Sequence, residues 1–390
     1  MHELHEFLLI IKGVANSCNS SNSWFYIKLI VFTYLIINTI YNYYLIIYTF
    51  IILLVGGIKL VEKMYKKKLH ISKIFSNLVV SNIKFIYLFM CNLYTKFVKF
   101  LEICKQFSED LVTESGNMLR PGPVPRFSDL EVIALSMAAE SEEIDSENWL
   151  FESKLKECRT SIPNLISRRQ FNDRRKQVSG LCEQIRSRIA RRIDGGEDYF
   201  CIDSMPIEVC RIARGKRCRM GRGGDFAKAP DFGYCASQDS WFYGYKLHAL
   251  CGLSGVIHSY DLSKASVHDI NYVNDLKHLY HDCSIFGDKG YVSTEVQLDL
   301  FETANIRLEC PYRLNQKDWK PTFVPFAKAR KRIETLFSQL NDQFLVIRNY
   351  AKETCGLFAR IIGKVSAMTA LQYINYINNK PIGRIKYALI

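Results

Sequence analysis

The sequence has no Cys-x-x-Cys pair, although it contains 13 cysteines. Cys210 and Cys218 do not have the spacing of a zinc site, and His278, His281 and Cys283 form only a loose cluster. The spacing therefore gives no support for a structural zinc ion. Thiols that are scattered singly along a chain are typical of a reducing compartment, so we expect a cytoplasmic protein.

The segment from Leu29 to Ile58 has no charged residue. It is long enough to span a bilayer, and the lysines that follow it suit a cytoplasmic flank. It is too long for the apolar region of a signal peptide. Residues 1–89 are also rich in amino acids with A/T-rich codons, as translation of a non-coding leader would be. Three interpretations stay open: a start placed too early, with Met64 or Met90 as internal starts, a membrane anchor, or a pair of core helices.

Acidic residues are missing from the stretch between Arg211 and Gly224. Within the longer segment from Arg159 to Arg222, 16 Lys and Arg residues face only 7 Asp and Glu residues. Most of the net charge of +13 therefore lies in one part of the chain. A local basic excess indicates a polyanionic partner, most often nucleic acid, and the alternative is a solvated surface. The loop 211–224 is accordingly either a flexible DNA-binding loop or a disordered surface loop.

Residues 90–195 have the apolar spacing of helices. Ser128 and Asp129 look like a cap for a helix that begins at Leu130. A basic helical run follows Pro163, and its pattern predicts an apolar face opposite an arginine face. The predicted outer residues are Arg168, Arg169, Arg174, Arg175, Arg186, Arg188, Arg191 and Arg192. This run resembles either a helix-turn-helix or a plain amphipathic helix.

From Tyr199 onward the pattern alternates between strands and helices. The predicted order is three strands, a helix, a strand, a helix, a strand and two long helices. The predicted strands are 199–203, 241–251, 256–262, 284–288 and 306–310, and the predicted helices are 269–280, 293–303, the run containing Glu334, and 355–376. This is the order of the ribonuclease-H-like α/β fold, a mixed sheet flanked by helices. In that fold the first and fourth predicted strands are neighbours.

Three carboxylates lie where a metal-dependent nuclease would need them. Asp203 ends the first predicted strand, Asp288 ends the fourth, and Glu334 lies in the long helix. Two divalent cations roughly 3.5–4 Å apart need a bridging anion and further anions on each side. Asp203 suits the bridge, with Asp288 and Glu334 on the flanks. Mg²⁺ suits these oxygen ligands, and Mn²⁺ is an expected substitute.

Glu334 also has a simpler interpretation. It lies at the edge of the apolar stripe formed by Ile333, Leu336, Phe337, Leu340 and Phe344. From there it can either reach the end of the sheet or pair with Arg330 one turn earlier. Such a surface pair would contribute only about 0.2–0.5 kcal/mol. Because three acids occur together in one strand order, we favour the catalytic interpretation.

The chain resembles the DDE transposases of bacterial insertion sequences, of the insertion-sequence family nine-eight-two. The resemblance spans roughly residues 91–376. It is carried by the motifs CIDSMPIEVC (201–210), YGYKLH (243–248), SVHD (266–269), FGDKGY (286–291) and RKRIETLFSQL (330–340). It implies that Asp203, Asp288 and Glu334 form a catalytic triad that holds two Mg²⁺ ions. It also implies cleavage of DNA at element ends and joining of the 3′-hydroxyl to target DNA.

The resemblance departs from the family pattern on the last helix. Arg330 and Glu334 match, whereas Ala327 stands in place of a Tyr and Asn341 in place of a Lys. Lys246 and Lys289 are candidates for phosphate contacts or are ordinary surface lysines. Asp269 lies either near the metals or at a helix cap. The aromatic residues Trp241, Phe242, Tyr243 and Tyr245 either stack on flipped bases or belong to the sheet core, and at least half are expected in the core.

We therefore expect an apolar leader over residues 1–89, a helical DNA-binding region over 90–195 and a ribonuclease-H-like catalytic domain over 196–390. The expected partners are the terminal inverted repeats and target DNA, with assembly of a homodimer or larger complex on DNA and no obligate membrane partner. The candidate DNA-binding side chains are Arg168, Arg169, Arg174, Arg175, Arg191, Arg192, Arg217, Lys246, Lys289 and Arg330. The alternative is a DNA-binding protein without catalysis.

Overall fold

The computed structural model describes residues 92–221, 228–311, 324–348 and 350–389. These residues lie in one compact unit, Ile86–Ile390. The predicted leader, with its uncharged run from Leu29 to Ile58, lies outside the described residues.

Two helices open the described part of the chain, α1 (Asn92–Gln106) and α2 (Asp129–Ser141). The start of α2 is fixed by a reciprocal cap. The backbone N–H of Glu131 donates to the Ser128 hydroxyl at 3.2 Å, and the backbone N–H of Ser128 donates to the Glu131 carboxylate at 2.6 Å. The predicted cap is therefore confirmed, and it satisfies two N–H groups that a helix start otherwise leaves unpaired.

The basic run forms two helices, α3 (Arg168–Gln177) and α4 (Ser179–Asp194), instead of one. Ser167 caps α3, and the break falls at Val178, whose backbone leaves the helical region at φ −90° and ψ 5°. Short helical segments precede the pair, over Glu147–Trp149, Leu150–Lys154 and Leu155–Cys158. The predicted apolar face is confirmed, since the buried side chains include Phe171, Val178, Leu181, Ile185 and Ile189.

The described residues form a sheet of six strands. They are β1 (Tyr199–Cys210), β2 (Asp231–Cys235), β3 (Ser240–Gly252), β4 (Ile257–Lys264), β5 (Ser284–Phe286) and β6 (Arg307–Glu309). The strand order is β2-β3-β1-β5-β6, and β4 also pairs with β3. Strands β1 to β4 pair antiparallel, whereas β5 pairs parallel to β1 and β6 parallel to β5. The predicted adjacency of the first and fourth predicted strands is confirmed by the pairing of β1 with β5.

The sequence pattern missed two features of this sheet. Strand β2 was not predicted, because Asp231-Phe-Gly-Tyr-Cys235 is short and interrupted by a glycine, and it pairs only with the start of β3. Strand β1 continues to Cys210 through Pro206, beyond its predicted end at Asp203. A proline is tolerated there because β5 pairs with β1 only from Tyr199 to Cys201, so the other edge of β1 needs no N–H donor at Pro206.

Helices cover both faces of the sheet. The remaining helices are α5 (Ile270–Leu276), α6 (Thr294–Ala304), α7 (Val324–Asp342), α8 (Thr354–Ile377) and α9 (Lys386–Leu389). On one face, Cys201 and Ala249 share a core with side chains of α4, α7 and α8. On the other face, Phe200 and Ile202 share a second core with side chains of α5 and α6. This mixed sheet with flanking helices is compatible with an α/β nuclease-like fold.

The helical region and the sheet region share their core, so the division expected at residue 195 does not separate two compact bodies. Helix α4 packs against both α8 and β4, and the buried Arg186 guanidinium donates to the backbone oxygens of Ile257 and His258. Within the described residues, α8 has the length and hydropathy of a membrane span, but 72% of its most apolar window is buried in the fold. We therefore interpret α8 as a core helix.

Candidate active site

Asp203 lies on β1, and Asp288 lies two residues beyond the end of the neighbouring parallel strand β5, which is shorter than the predicted strand 284–288. The last registered pair of β1 and β5 is Cys201 with Phe286, and each aspartate follows two residues later. Strands in a sheet lie about 4.8 Å apart, and side chains two residues apart point to the same face. Both Cys201 and Phe286 belong to the core under α7. The pairing of β1 with β5 therefore brings the two carboxylates near each other, and the negative charge of Asp288 acts on Asp203.

The environment of Asp203 favours its neutral form. Burial raises the pKa of this carboxyl group to about 6, and the negative charges of Asp288 and Asp269 add to the rise. Two groups oppose it: the backbone N–H of Ser204, which donates to Asp203 Oδ1 at 2.8 Å, and the guanidinium of Arg330. A carboxyl group that is desolvated beside like charges is ready to bind a cation, because the cation would remove the cost of ionising it.

Asp288 is held by the turn that follows β5. Its Oδ1 accepts a hydrogen bond of 2.7 Å from the backbone N–H of Gly290, at the start of a short 3₁₀ segment, Lys289–Tyr291. Gly287 allows this turn to pack closely, because a Cβ there would lie 3.1 Å from Tyr291 Cδ2 and 3.2 Å from Ile202 Cγ2. The motif Gly287-Asp-Lys-Gly-Tyr291 thus fixes the carboxylate and buries the tyrosine.

Tyr291 ends the motif FGDKGY, and the sequence pattern alone indicates no role for it. Its ring is 1% exposed, and its hydroxyl has no hydrogen-bond partner among the described residues. Burial raises the pKa of this hydroxyl, and the charges of Asp269, Asp203 and Asp288 raise it further. A neutral tyrosine hydroxyl without a partner among the described residues therefore lies within electrostatic range of the three carboxylates.

Glu334 lies on α7, which packs against β1 and β5. The apolar stripe that begins at Ile333 on α7 and ends at Phe344, two residues beyond the helix, is buried as predicted, and Glu334 lies beside it with 56% of its side chain exposed. Its Oε1 accepts a hydrogen bond of 3.1 Å from Arg330 Nε. The structure thus contains the surface pair that was the simpler interpretation. Arg330 also lowers the pKa of Asp203, so the pair stands within electrostatic reach of the first aspartate.

The donor set suits a divalent cation in kind. Asp203 and Asp288 supply carboxylate oxygens, and the orphaned hydroxyl of Tyr291 is nearby. The described residues nevertheless contain no group of three or more His, Cys, Asp or Glu side chains that could hold a metal ion. The structure therefore brings two of the three predicted ligands together, while Glu334 is paired with Arg330. The described cysteines are all free, and none of them joins a metal site.

Lys246 and His248 lie on β3, and Lys246 contacts Asp269 at the start of α5. Lys246 Nζ donates to Asp269 Oδ1 at 2.9 Å and to the Val267 backbone oxygen at 3.0 Å. Asp269 stands at the start of α5 but makes no capping hydrogen bond, so its interaction with Lys246 replaces the cap that we considered. His248 pairs with Ser263 at 2.7 Å and stacks on Tyr272 on the other face of the sheet.

The arginines of α3 and α4 fall into two groups. Arg174 donates to the Phe127 backbone oxygen and, at 2.6 Å, to Asp129. Arg175 is buried against Glu140, and Arg186 is 1% exposed. The prediction that these three side chains face outward is wrong, because acids on α2 and on α4 itself neutralise them inside the fold. Arg188 is half-exposed and pairs with Asp110.

The exposed members of the predicted DNA-binding set lie on four separate segments of the chain. Arg168 and Arg169 lie at the start of α3, Arg191 and Arg192 at the end of α4, and Arg217 and Lys289 in short 3₁₀ segments. Lys246 is half-buried and forms an ion pair with Asp269. Of the four aromatic residues on β3, Phe242, Tyr243 and Tyr245 are core residues, and Trp241 is 63% exposed. The expectation for at least half of them is confirmed.

Residues 194–370 match the model of a protein family described as the transposase DDE domain. The match begins at the end of α4 and includes every strand, the two aspartates and Glu334. No curated protein and no solved structure matches the chain. The family match, together with an aspartate on β1 and another just beyond the paired strand β5, supports a DDE transposase, a class of enzyme whose substrate is DNA.

Proposed function

We propose that the protein is the transposase of a bacterial insertion sequence, of the insertion-sequence family nine-eight-two. It would act in the cytoplasm, cut DNA at the element ends and join the 3′-hydroxyl to target DNA. Asp203, Asp288 and Glu334 are its catalytic residues. The observation that carries the proposal is the pairing of β1 with β5, which ends two residues before Asp203 and Asp288, together with the rise in the pKa of Asp203 to about 6, to which Asp288 contributes.

Asp203 and Asp288 would hold Mg²⁺ or Mn²⁺, with Glu334 as the third carboxylate. When bound, a pair of such ions lowers the pKa of an attacking hydroxyl and stabilises the leaving oxygen of a phosphodiester. The work of the chain is positional. Ser204 N–H orients Asp203, Gly290 N–H orients Asp288, and α7 carries Glu334 beside both strands.

Arg330 has a second role in this arrangement. In the structure it neutralises Glu334, and its positive charge also favours the ionised form of Asp203. If Glu334 held a cation, the Arg330 guanidinium would lose this partner and would be available to contact a DNA phosphate. An exposed pair of this kind is worth only about 0.2–1 kcal/mol, so the exchange has a low energetic cost.

DNA would bind along the exposed arginines, namely Arg168, Arg169, Arg191, Arg192 and Arg217, together with Lys289. The partners are the terminal inverted repeats and target DNA, and a homodimer or larger assembly forms on them. Arg174 and Arg175 are left out of the proposed surface because α2 already neutralises them.

The competing candidate is a DNA-binding protein without catalysis, and the pairing of Glu334 with Arg330 is the observation that favours it. The test is Mg²⁺-dependent nicking of a duplex that carries the element end. Asp203→Ala, Asp288→Ala and Glu334→Ala should each abolish nicking while binding of the same duplex persists. The matched control is Asp299→Ala, an acid on α6 that pairs with Lys277 away from the site. Nicking at the wild-type rate by the triple variant would contradict the assignment.

A further inference from the structure

Strands β2 and β3 form a hairpin whose tip carries an exposed aromatic pair. Tyr234 and Trp241 are partners in the register, and their ring centroids lie 5.6 Å apart. Tyr234 is 45% exposed and Trp241 is 63% exposed. The Tyr234 hydroxyl donates to Asp239 in the turn, so the pair is held in place. Two large rings that are exposed together and fixed by their neighbours are typical of a binding surface.

The same face of the hairpin carries a second aromatic pair, which is covered. Phe232 and Tyr243 are register partners with ring centroids 4.8 Å apart. Gly215 packs directly on them, since a Cβ there would lie 2.8 Å from Phe232 Cζ and 2.9 Å from Tyr243 Cδ2. Because Phe232 and Tyr234 are two residues apart, they share a face, and so do Trp241 and Tyr243. The basic segment, residues 211–217, therefore adjoins the exposed pair on one surface.

The charge of this surface suits an anion. The basic segment contains Arg211, Arg214, Lys216 and Arg217 and no acid, and its three arginines are exposed. The hairpin carries two acids, Asp231, which accepts from the Phe232 N–H at 2.8 Å, and Asp239, which accepts from Tyr234, and the four cations of the basic segment outnumber them. Cations beside exposed rings are the combination that binds single-stranded nucleic acid, with phosphates on the cations and bases stacked on the rings.

The hairpin also has a defined position relative to the aspartates. Asp203 pairs with Ala249 in the register, and Ala249 and Trp241 are eight residues apart on β3, so their side chains point to the same face. The rise of a strand, about 3.3 Å per residue, places Trp241 about 26 Å from the position opposite Asp203. Bases in an intact duplex stack on each other and expose only their edges, whereas an unpaired base offers a free ring face.

We propose that Tyr234 and Trp241 stack on an unpaired base of the DNA substrate while the basic segment contacts the adjoining phosphates. This inference rests on the proposed function only in taking DNA as the substrate. It gives the hairpin a role in selecting DNA that is locally single-stranded.

The test compares a single-stranded oligonucleotide with the duplex of the same sequence, using the full chain at fixed salt. Trp241→Ala should weaken binding of the single strand by roughly 5- to 150-fold, the loss expected for one stacked base, and should change duplex binding less than twofold. Trp241→Phe should keep most of the affinity. The matched control is Trp149→Ala, which removes a tryptophan that is 54% exposed outside the sheet. Tyr234→Ala tests the same surface if Trp241→Ala does not fold.

Direct contact is read from fluorescence. Adding the single strand should quench the tryptophan fluorescence of the wild type and of Trp149→Ala. The quenching should be much smaller in Trp241→Phe. Equal weakening of single-strand and duplex binding, or none, would overturn the proposal. The proposal would also be overturned if Trp241→Ala lowered the oligomeric state in sedimentation without changing single-strand binding. The surface would then bind a second copy of the chain. Asp203→Ala should bind the single strand normally, which separates this inference from the proposed catalysis.

Discussion

Asp203 and Asp288 each follow by two positions the last residues that β1 and β5 pair with each other, so the pairing of these strands brings the two carboxylates near each other, with Asp288 just beyond the end of β5. In the absence of a cation this arrangement costs stability, because like charges that are partly buried raise each other's free energy. The structure shows this cost at Asp203, whose pKa is raised to about 6 by burial and then by Asp288. A site that is unfavourable when empty and ionised has a measurable dependence on pH and on cations.

The first prediction concerns Asp203→Asn. A folded-state pKa of about 6 lies above the usual value near 4, so the stabilisation from the neutral form is complete at low pH and is lost as pH rises through 6. Asparagine cannot ionise. Without divalent cations, the variant should therefore gain on the wild type as pH rises, by up to about 2–3 kcal/mol at pH 7.5 and by little at pH 4. Urea denaturation across this pH range measures the difference.

With a divalent cation present, the wild type should become more stable than Asp203→Asn. Mg²⁺ at millimolar concentration should raise the Tm of the wild type at pH 7.5 more than at pH 5, because it binds the ionised form, and should raise the Tm of Asp203→Asn much less. Asp299→Asn, at an exposed ion pair, serves as the control and should respond like the wild type. If Mg²⁺ stabilises Asp203→Asn as strongly as the wild type, the cation binds elsewhere.

The second prediction concerns Arg330→Gln. The exposed pair with Glu334 should contribute no more than about 0.5 kcal/mol, so the free energy of unfolding should hardly change. Arg330 lowers the pKa of Asp203, and its loss should therefore move that pKa further upward. The pH at which nicking reaches half its maximum should rise with it. A large loss of stability would show that Arg330 is a structural residue. An unchanged pH profile would show that its charge does not act on the titration of Asp203.

The sheet and its site were largely predictable because their signals are local. Apolar runs that end in Asp203 and Asp288 predict buried strands. The helical stripe from Ile333 to Phe344 predicts the buried face of α7. The strand order determines which strands are neighbours, and the proximity of Asp203 and Asp288 follows from it. The pairing of Glu334 with Arg330 was also visible as a spacing of one helical turn.

The fate of the arginines was not predictable from spacing. Arg174, Arg175 and Arg186 occur in a run that reads as a solvent face, yet Asp129, Glu140 and Glu183 neutralise them inside the fold. An arginine buried with a carboxylate partner has the same sequence pattern as an exposed one. The partner acids of Arg174 and Arg175 stand on another helix, about 35 to 45 residues earlier in the chain.

The third prediction concerns DNA binding by the arginines that remain exposed. Replacing Arg168 and Arg169, or Arg191 and Arg192, by Ala should reduce the slope of log affinity against log salt by about 0.9 for each phosphate contact removed. The matched control removes two exposed cations elsewhere, Lys380 and Lys386. A control that flattens the slope equally would mean that the protein binds DNA through its overall charge alone.

The last prediction concerns the buried acid Glu140. It is 2% exposed and accepts ion pairs from Arg175, Lys364 and Arg360, which join α2, α3 and α8. Burial alone would raise its pKa, but Lys364, Arg175 and Arg360 outweigh burial and lower the pKa to about 2. Glu140→Gln keeps the shape and removes the charge, which leaves buried cations uncompensated. The expected loss is about 3–5 kcal/mol of unfolding free energy.

The pH dependence identifies the cause of that loss. A depressed folded-state pKa gives stability that is present above pH 4.5 and disappears as pH falls toward 2, so the gap between wild type and Glu140→Gln should narrow over that range. The control is Glu152→Gln, whose pair with Lys156 is 74% and 63% exposed and should be worth less than about 1 kcal/mol. Chemical denaturation at pH 7 and pH 3 measures both variants. A gap that stays constant with pH would assign the loss to packing at Glu140 instead of its charge.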